Sequence, residues 1–147
     1  MIYVTRREVF SASHRLYNKS LSDEENEKIF GKCSNPNGHG HNYILEVVVA
    51  GEIDPHTGYV IDLSVLKKLI HEHVISKVDH KNLNDDVEFL AGQIPSSENI
   101  AVGIWNQLAD KIPKGNLYSI KLYETENNYI EYKIFRTQGR FFRYTSI

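Results

Sequence analysis

His39 and His41 flank Gly40 at the start of an apolar, β-branched run, NYILEVVVAGE, residues 42–52. In an extended chain, positions i and i+2 point to the same side, so both imidazoles face one point. His14 closes an earlier β-rich stretch, residues 2–14, in which Tyr3, Val4, Val9 and Phe10 supply the strand-favouring side chains. If the two strands pair antiparallel, the end of the first lies beside the start of the second. His14 then falls next to His39 and His41, provided it shares their face of the sheet. Gly38 and Gly40 relieve crowding where the backbone must come close to such a site. Three neutral imidazoles suit Zn²⁺, and three protein ligands leave a fourth position for water or substrate, which marks a catalytic zinc rather than a structural one. A bare His-x-His is more often a pair of solvated loop residues, and the coincidence of strand ends is what favours a metal.

Other groups carry weaker signals. Cys33 precedes this segment on a Gly- and Asn-rich loop, GKCSNPNGHGH. A lone cysteine is commonly a small buried hydrophobe, whereas a polar loop beside a metal favours the reactive thiolate; the residues alone leave both readings open. Asp79 and His80 adjoin in VDHKNLN. A carboxylate that fixes an imidazole's tautomer suits general acid–base work, but spacing alone favours a turn cap beside a helix C-terminus. Glu124 shares a face with Leu122 and Ile120 by strand alternation, and there it needs hydrogen-bond donors; an exposed edge position is the equal alternative. His71 and His73 sit two apart on a helix, face different ways and read as surface residues. His56 lies in a turn and receives no role.

The elements that must position these groups follow from pattern and punctuation. After the second strand, DPHTG supplies turn chemistry, and a helix begins at Asp62 or Ser64 with Leu63, Leu66, Ile70 and Val74 at helical spacing. An Asn- and Asp-rich loop, residues 79–86, leads to a second helix opening at Ser96 or Ser97. Its stripe is Ile100, Ala101, Ile104, Trp105 and Leu108, and it stops before Pro113. Residues 117–126 and 129–136 read as a closing hairpin about Asn127 and Asn128. The order ββααββ predicts an α+β domain, an antiparallel four-stranded sheet with two helices on one face. A long connection, residues 15–41, contains a short helix capped by Ser22 or Asp23 and then the unusual chemistry.

Composition sets the outer bounds. The 147 residues suit one domain, 1–147, with no repeat or linker. The formal net charge of -2 offers no general attraction to phosphate backbones, so no nucleic-acid role is expected. One cysteine forms no internal disulfide. The opening MIYVTRREVF lacks an apolar run of signal-peptide length, and no stretch is long enough to span a membrane. A soluble, cytoplasmic protein is the expectation.

Taken together, FSASHRL, LSDEENEKIFGKCSNPNGHGHNY, GEIDPHTGYVIDL, VDHKNLN, SSENIAVGIW and LYETENN resemble the 6-pyruvoyl tetrahydropterin synthase / 6-carboxy-tetrahydropterin synthase family over about residues 3–135. The resemblance implies the tunnelling fold and elimination of triphosphate from 7,8-dihydroneopterin triphosphate, giving 6-pyruvoyl-tetrahydropterin for tetrahydrobiopterin synthesis. It implies that His14, His39 and His41 bind zinc, that Cys33 abstracts a proton, and that Asp79 and His80 complete the relay. Glu124 would receive the pterin's ring N–H and amino donors. Ser96 and Ser97 stand where the family usually has Thr, beside the pterin, and either bind it or only cap the helix. The family assembles as a homohexamer of two trimers, with sheets closed into barrels and active sites between subunits. The NPNG insertion and SLSDEEN look like the pyruvoyl rather than the carboxy enzyme of queuosine biosynthesis. A non-catalytic zinc- or pterin-binding module is the reading from another class. The tail from residue 136, with Phe141, Phe142 and Tyr144, extends past the usual family end. Lys32, Arg15 and Lys81 are the basic candidates for the triphosphate.

Overall fold

In a computed structural model, residues 1–135 of the chain are described. The tail 136–147, including Phe141, Phe142 and Tyr144, lies outside the described residues. Strand β1 (Ile2–His14) pairs antiparallel with β2 (His39–Gly51) along its whole length, from Ile2 opposite Gly51 to His14 opposite His39. Strand β4 (Asn116–Tyr123) lies antiparallel on the other side of β2, and β5 (Tyr129–Tyr132) forms a hairpin with β4. Strand alternation turns Phe10, Ala12, Tyr43, Leu45, Val47, Val49, Ile120 and Leu122 inward, where all are buried.

The helices that follow β2 cover that face, and no residue of the first helix joins the core. Helix α1 (Asp23–Phe30) sits in the long connection and opens on a capping box: Ser22 Oγ accepts from the Glu25 N–H while the Glu25 carboxylate accepts from the Ser22 N–H. Helix α2 (Leu63–Ile70) is capped by Asp62, whose carboxylate accepts from the Ser64 N–H at 2.7 Å. It continues through a π-helical turn (His71–Ile75) into a short α3 (Ser76–Val78). Helix α4 (Ser97–Leu108) is capped by Ser96. Its whole predicted stripe, from Ile100 to Leu108, joins Leu66, Ile70 and Val74 in one core. Burial of these aliphatic faces, at about 25 cal/mol per Å² of apolar surface, is what holds helices to sheet.

Three features depart from expectation. The sheet is mixed and has five strands, in the order β3-β1-β2-β4-β5, because β3 (Lys81–Asn82) pairs parallel with Ala12 and Ser13 of β1. Two residues are too few to show alternation, and the exposed edge of β1 recruits them: the His80 N–H donates to the Ser11 carbonyl at 2.6 Å and the Leu83 N–H to that of Ser13 at 2.8 Å. Leu63 is 52% exposed rather than packed. Helical side chains lean toward the N-terminus, so the first residue's side chain leans off the end of its helix. The π turn, finally, puts Val74 and Ile75 side by side in the core and leaves His71 exposed, with Nε2 3.0 Å from the Glu8 carboxylate. Among the described residues, no helix is long and apolar enough to cross a membrane.

Candidate metal centre

The antiparallel order brings the end of β1, the start of β2 and the end of β4 to one edge of the sheet. The register sets His14 opposite His39 and Ala12 opposite His41, so the three imidazoles share the inner face. Glu124 follows Tyr123, which pairs with Ile44, and so stands beside the same spot. His14 Nε2 is 3.1 Å from His39 Nε2 and 3.2 Å from Glu124 Oε1, and His41 Nε2 is 3.1 Å from the same oxygen. One ligand atom from each of the four lies within 4.8 Å of all the others. Nitrogens bound to one tetrahedral zinc at about 2.0–2.1 Å stand about 3.3 Å apart. The spacing of the His14 and His39 nitrogens therefore suits a shared ion.

Protonation suits it as well. His14 is 1% exposed, and its Nδ1 lies 2.7 Å from the Pro95 carbonyl. A carbonyl only accepts, so Nδ1 carries the proton and Nε2 keeps its lone pair for a metal. Burial pushes the His14 imidazole below its ordinary range, and the neighbouring imidazoles act in the same direction. Burial also lowers His41, against the opposing pull of Glu124. His41 Nε2 and His39 Nδ1 are buried without a hydrogen-bond partner. The 3.1 Å approach of His41 to Glu124 therefore lacks hydrogen-bond geometry, as befits two groups aimed at a common centre.

The glycines expected to make room do so. Gly38 has φ +69°, and a Cβ there would lie 2.9 Å from the His14 carbonyl oxygen; at Gly40 it would lie 3.4 Å from that of Ala12.

Cys33 is in a 3₁₀ turn (Gly31–Ser34), half-buried and with a free thiol, and is not part of the four-residue cluster. Its turn is stitched to the end of β1: the Leu16 N–H donates to the Cys33 carbonyl at 2.8 Å and Arg15 Nε to the Ser34 carbonyl at 2.7 Å. Asp79 holds two partners, accepting from the Ser11 N–H at 2.9 Å and standing 3.0 Å from His80 Nδ1. The Ser11 N–H bond leads the causes that keep the Asp79 carboxyl below its usual range. His80 has φ 58° and a largely exposed ring. It shares with His41, Ser11 and Lys81 a hollow of about 420 Å³. A second hollow, of about 500 Å³, borders His14, Arg15 and Lys19. Ser96 caps α4, accepting from the Asn99 N–H at 3.3 Å, whereas Ser97 Oγ is buried without a partner.

One contributor escaped sequence reading: the Pro95 carbonyl is backbone, and nothing in residue type announces it. Glu124 was a candidate from sequence, with an inward and an edge position left equal, and the register of β4 on β2 sets it beside the imidazoles.

Residues 3–134 match the family described as 6-pyruvoyl tetrahydropterin synthase. The chain is 58% identical over 130 residues to the 6-pyruvoyl tetrahydrobiopterin synthase of Pongo abelii, covering 88% of this chain and 90% of that protein. To the Homo sapiens protein of the same name it is 57% identical, with the same shares covered. The structure of Caenorhabditis elegans 6-pyruvoyl tetrahydropterin synthase superposes with a TM-score of 0.85 at 44% identity, covering 90% of this chain and 94% of that one.

Proposed function

This chain belongs to the 6-pyruvoyl tetrahydropterin synthase family, and we propose that it converts 7,8-dihydroneopterin triphosphate to 6-pyruvoyl-tetrahydropterin and triphosphate with the help of a zinc ion held by His14, His39 and His41. The observation that carries the metal assignment is the convergence of imidazole nitrogens at one end of the sheet, with His14 fixed in the ligating tautomer. Zinc, when bound, would supply Lewis acidity toward the hydroxyls of the substrate side chain.

The remaining roles fall to the chain's own groups. Cys33 removes a proton from a side-chain carbon, a task for a thiolate on a polar turn. Asp79 orients His80 through Nδ1, and His80 returns the proton. Glu124 accepts hydrogen bonds from the pterin ring N–H and amino groups, a use for a carboxylate on an inward face beside the metal pocket. Ser97 offers a buried hydroxyl with nothing yet to bond, and Ser96 keeps the helix in register. Cys33 lies outside the histidine cluster, and in the homohexamer that the family resemblance implies, groups from different subunits would complete each site.

The test is a product assay on 7,8-dihydroneopterin triphosphate with metal analysis. Formation of 6-pyruvoyl-tetrahydropterin with about one zinc per chain supports the reading. 6-Carboxy-tetrahydropterin as the main product moves the chain to the queuosine-type reaction, and zinc without turnover makes it a binding module.

A further inference from the structure

His14 is held from behind by a carbonyl, and that carbonyl is itself held. Pro95 is buried, and its oxygen accepts from His14 Nδ1 at 2.7 Å. The residues on either side close a tight turn, with the Ser96 N–H donating to the Ile94 carbonyl at 2.8 Å. Proline's fixed φ leaves one soft dihedral at the centre of such a three-residue turn. Asn99, in the first turn of α4, supplies the clamp: its Nδ2 donates to the same Ile94 carbonyl at 2.8 Å, while its own N–H donates to Ser96 Oγ. One residue thus grips both ends of the turn that presents the Pro95 oxygen.

We propose that Asn99 is a positioning residue of the metal centre: by bracing residues 94–96 it aims the Pro95 carbonyl at His14 Nδ1 and keeps the His14 Nε2 lone pair available to the metal. The proposal rests on the reading that His14, His39 and His41 bind zinc, but it concerns a residue that touches neither metal nor substrate. Without the Asn99 amide, the backbone bonds still hold the Ser96 end, but the Ile94 end keeps only the bond from the Ser96 N–H; the carbonyl between them swings, and the neutral His14 ring samples the tautomer that carries its proton on Nε2.

A purely local role for Asn99 in the helix predicts something different. Asn99 is the third residue of α4, where a carboxylate is favoured by the helix N-terminus. In the brace, Asn99→Asp would put a carboxylate oxygen in place of the donor, facing the Ile94 carbonyl oxygen, two acceptors repelling each other. That substitution should therefore be harmless to a helix but worse than Asn99→Ala for the metal centre.

The experiment strips the purified full chain of metal, titrates it with zinc alone against a chromogenic chelator, and records ¹⁵N spectra of the histidine-labelled apoprotein at pH 8. Loss of an outer partner of a metal-bound histidine typically costs about 10–100-fold in metal affinity. Asn99 acts one bond further out, so zinc affinity should fall about tenfold in N99A and further in N99D, with the His14 ring moving from the pure Nδ1–H tautomer toward a mixture. N99D binding zinc within twofold of the wild-type chain overturns the proposal, as does a His14 ring unmoved in both variants. A wild-type chain that takes no zinc, with a His14 tautomer that still shifts in N99D, leaves the brace standing and defeats the metal assignment instead.

Discussion

Replacing His14 by alanine should injure the protein twice, and the two injuries are separable. The ring is 1% exposed and donates to the Pro95 carbonyl, so its removal leaves a buried acceptor without a partner and a void beside Tyr43. An orphaned buried acceptor costs about 1–3 kcal/mol and the lost packing about 1 kcal/mol more, so the apoprotein should lose about 2–4 kcal/mol. For a domain of this length that lowers Tm by about 10 °C. The second injury is to zinc. Structural sites with four ligands bind zinc with about 10–16 kcal/mol, so each ligand carries about 3 kcal/mol, and removing one should weaken binding by about 100-fold or more. His39→Ala is the control. That ring is half-buried and its Nδ1 bonds to nothing, so the variant should lose zinc to a similar degree while the apoprotein unfolds within about 1 kcal/mol of wild type. Calorimetry of both apoproteins, with zinc titration by chelator competition, reads both quantities. His14→Ala retaining zinc within threefold of wild type, or His39→Ala destabilising the apoprotein as much as His14→Ala, would refute the reasoning.

Cys33→Ala should keep its zinc and its Tm while product formation falls by orders of magnitude; a rate within tenfold of wild type removes Cys33 from the reaction. Glu124→Gln exchanges a charged acceptor for a neutral one of the same shape, so kcat/KM should fall about 10–150-fold with zinc content unchanged. Loss of zinc in that variant would reassign Glu124 from pterin to metal. Gly38→Ala forces a left-handed residue and drives a Cβ to 2.9 Å from the His14 carbonyl, so urea unfolding should show a loss of about 2 kcal/mol or more; an unchanged midpoint refutes the crowding argument. Burial lowers His14 and His41 in the folded apoprotein, so as pH falls through the ordinary imidazole range, near 6.5, the unfolded chain takes up protons first. Apoprotein stability should be full above that range and decline below it, and a urea midpoint that is flat or rising from pH 7 to 5.5 contradicts this.

What could be read from residue order was whatever local chemistry dictates. The helix caps and the five-residue stripe of α4 satisfy needs within a few residues; the stripe stands as read, and each cap is one of the two residues offered for it, Ser22, Asp62 and Ser96. So does the meeting of His14 with His39, since antiparallel pairing of long strands leaves little freedom at their ends. The rest depended on partners distant in sequence. Lys81 and Asn82 become a strand only because β1 has an edge to cover, and Leu63 is exposed only because it opens its helix. The π turn adds a residue that apolar spacing does not announce, since Val74 and Ile75 are both apolar and either could have been the inward one.

The unequal support of the three imidazoles says how the centre works. Burial lowers His14 and His41 and so favours the neutral form that a metal requires, but a buried ring nitrogen without a partner is costly. His14 meets that cost through Pro95, and its orientation exists before any ion arrives. His39 does not: its Nδ1 is buried and unpartnered, so nothing on that side of the ring fixes its rotation. His41 lies between these cases, pressed toward a carboxylate oxygen without bonding it. Of the three, His14 is therefore the fixed point, and the proposed ion, when bound, would settle the rotation of the other two rings. A preformed ligand would limit the ordering cost of capturing the proposed ion to two side chains, and the glycines on either side of His39 let its strand lie close against the backbone of β1. The same logic explains why the centre stands at the end of the strands. In the middle of the sheet, cross-strand neighbours would hold all three rings, but no loop could bring a carbonyl behind one of them, as residues 94–96 do for His14.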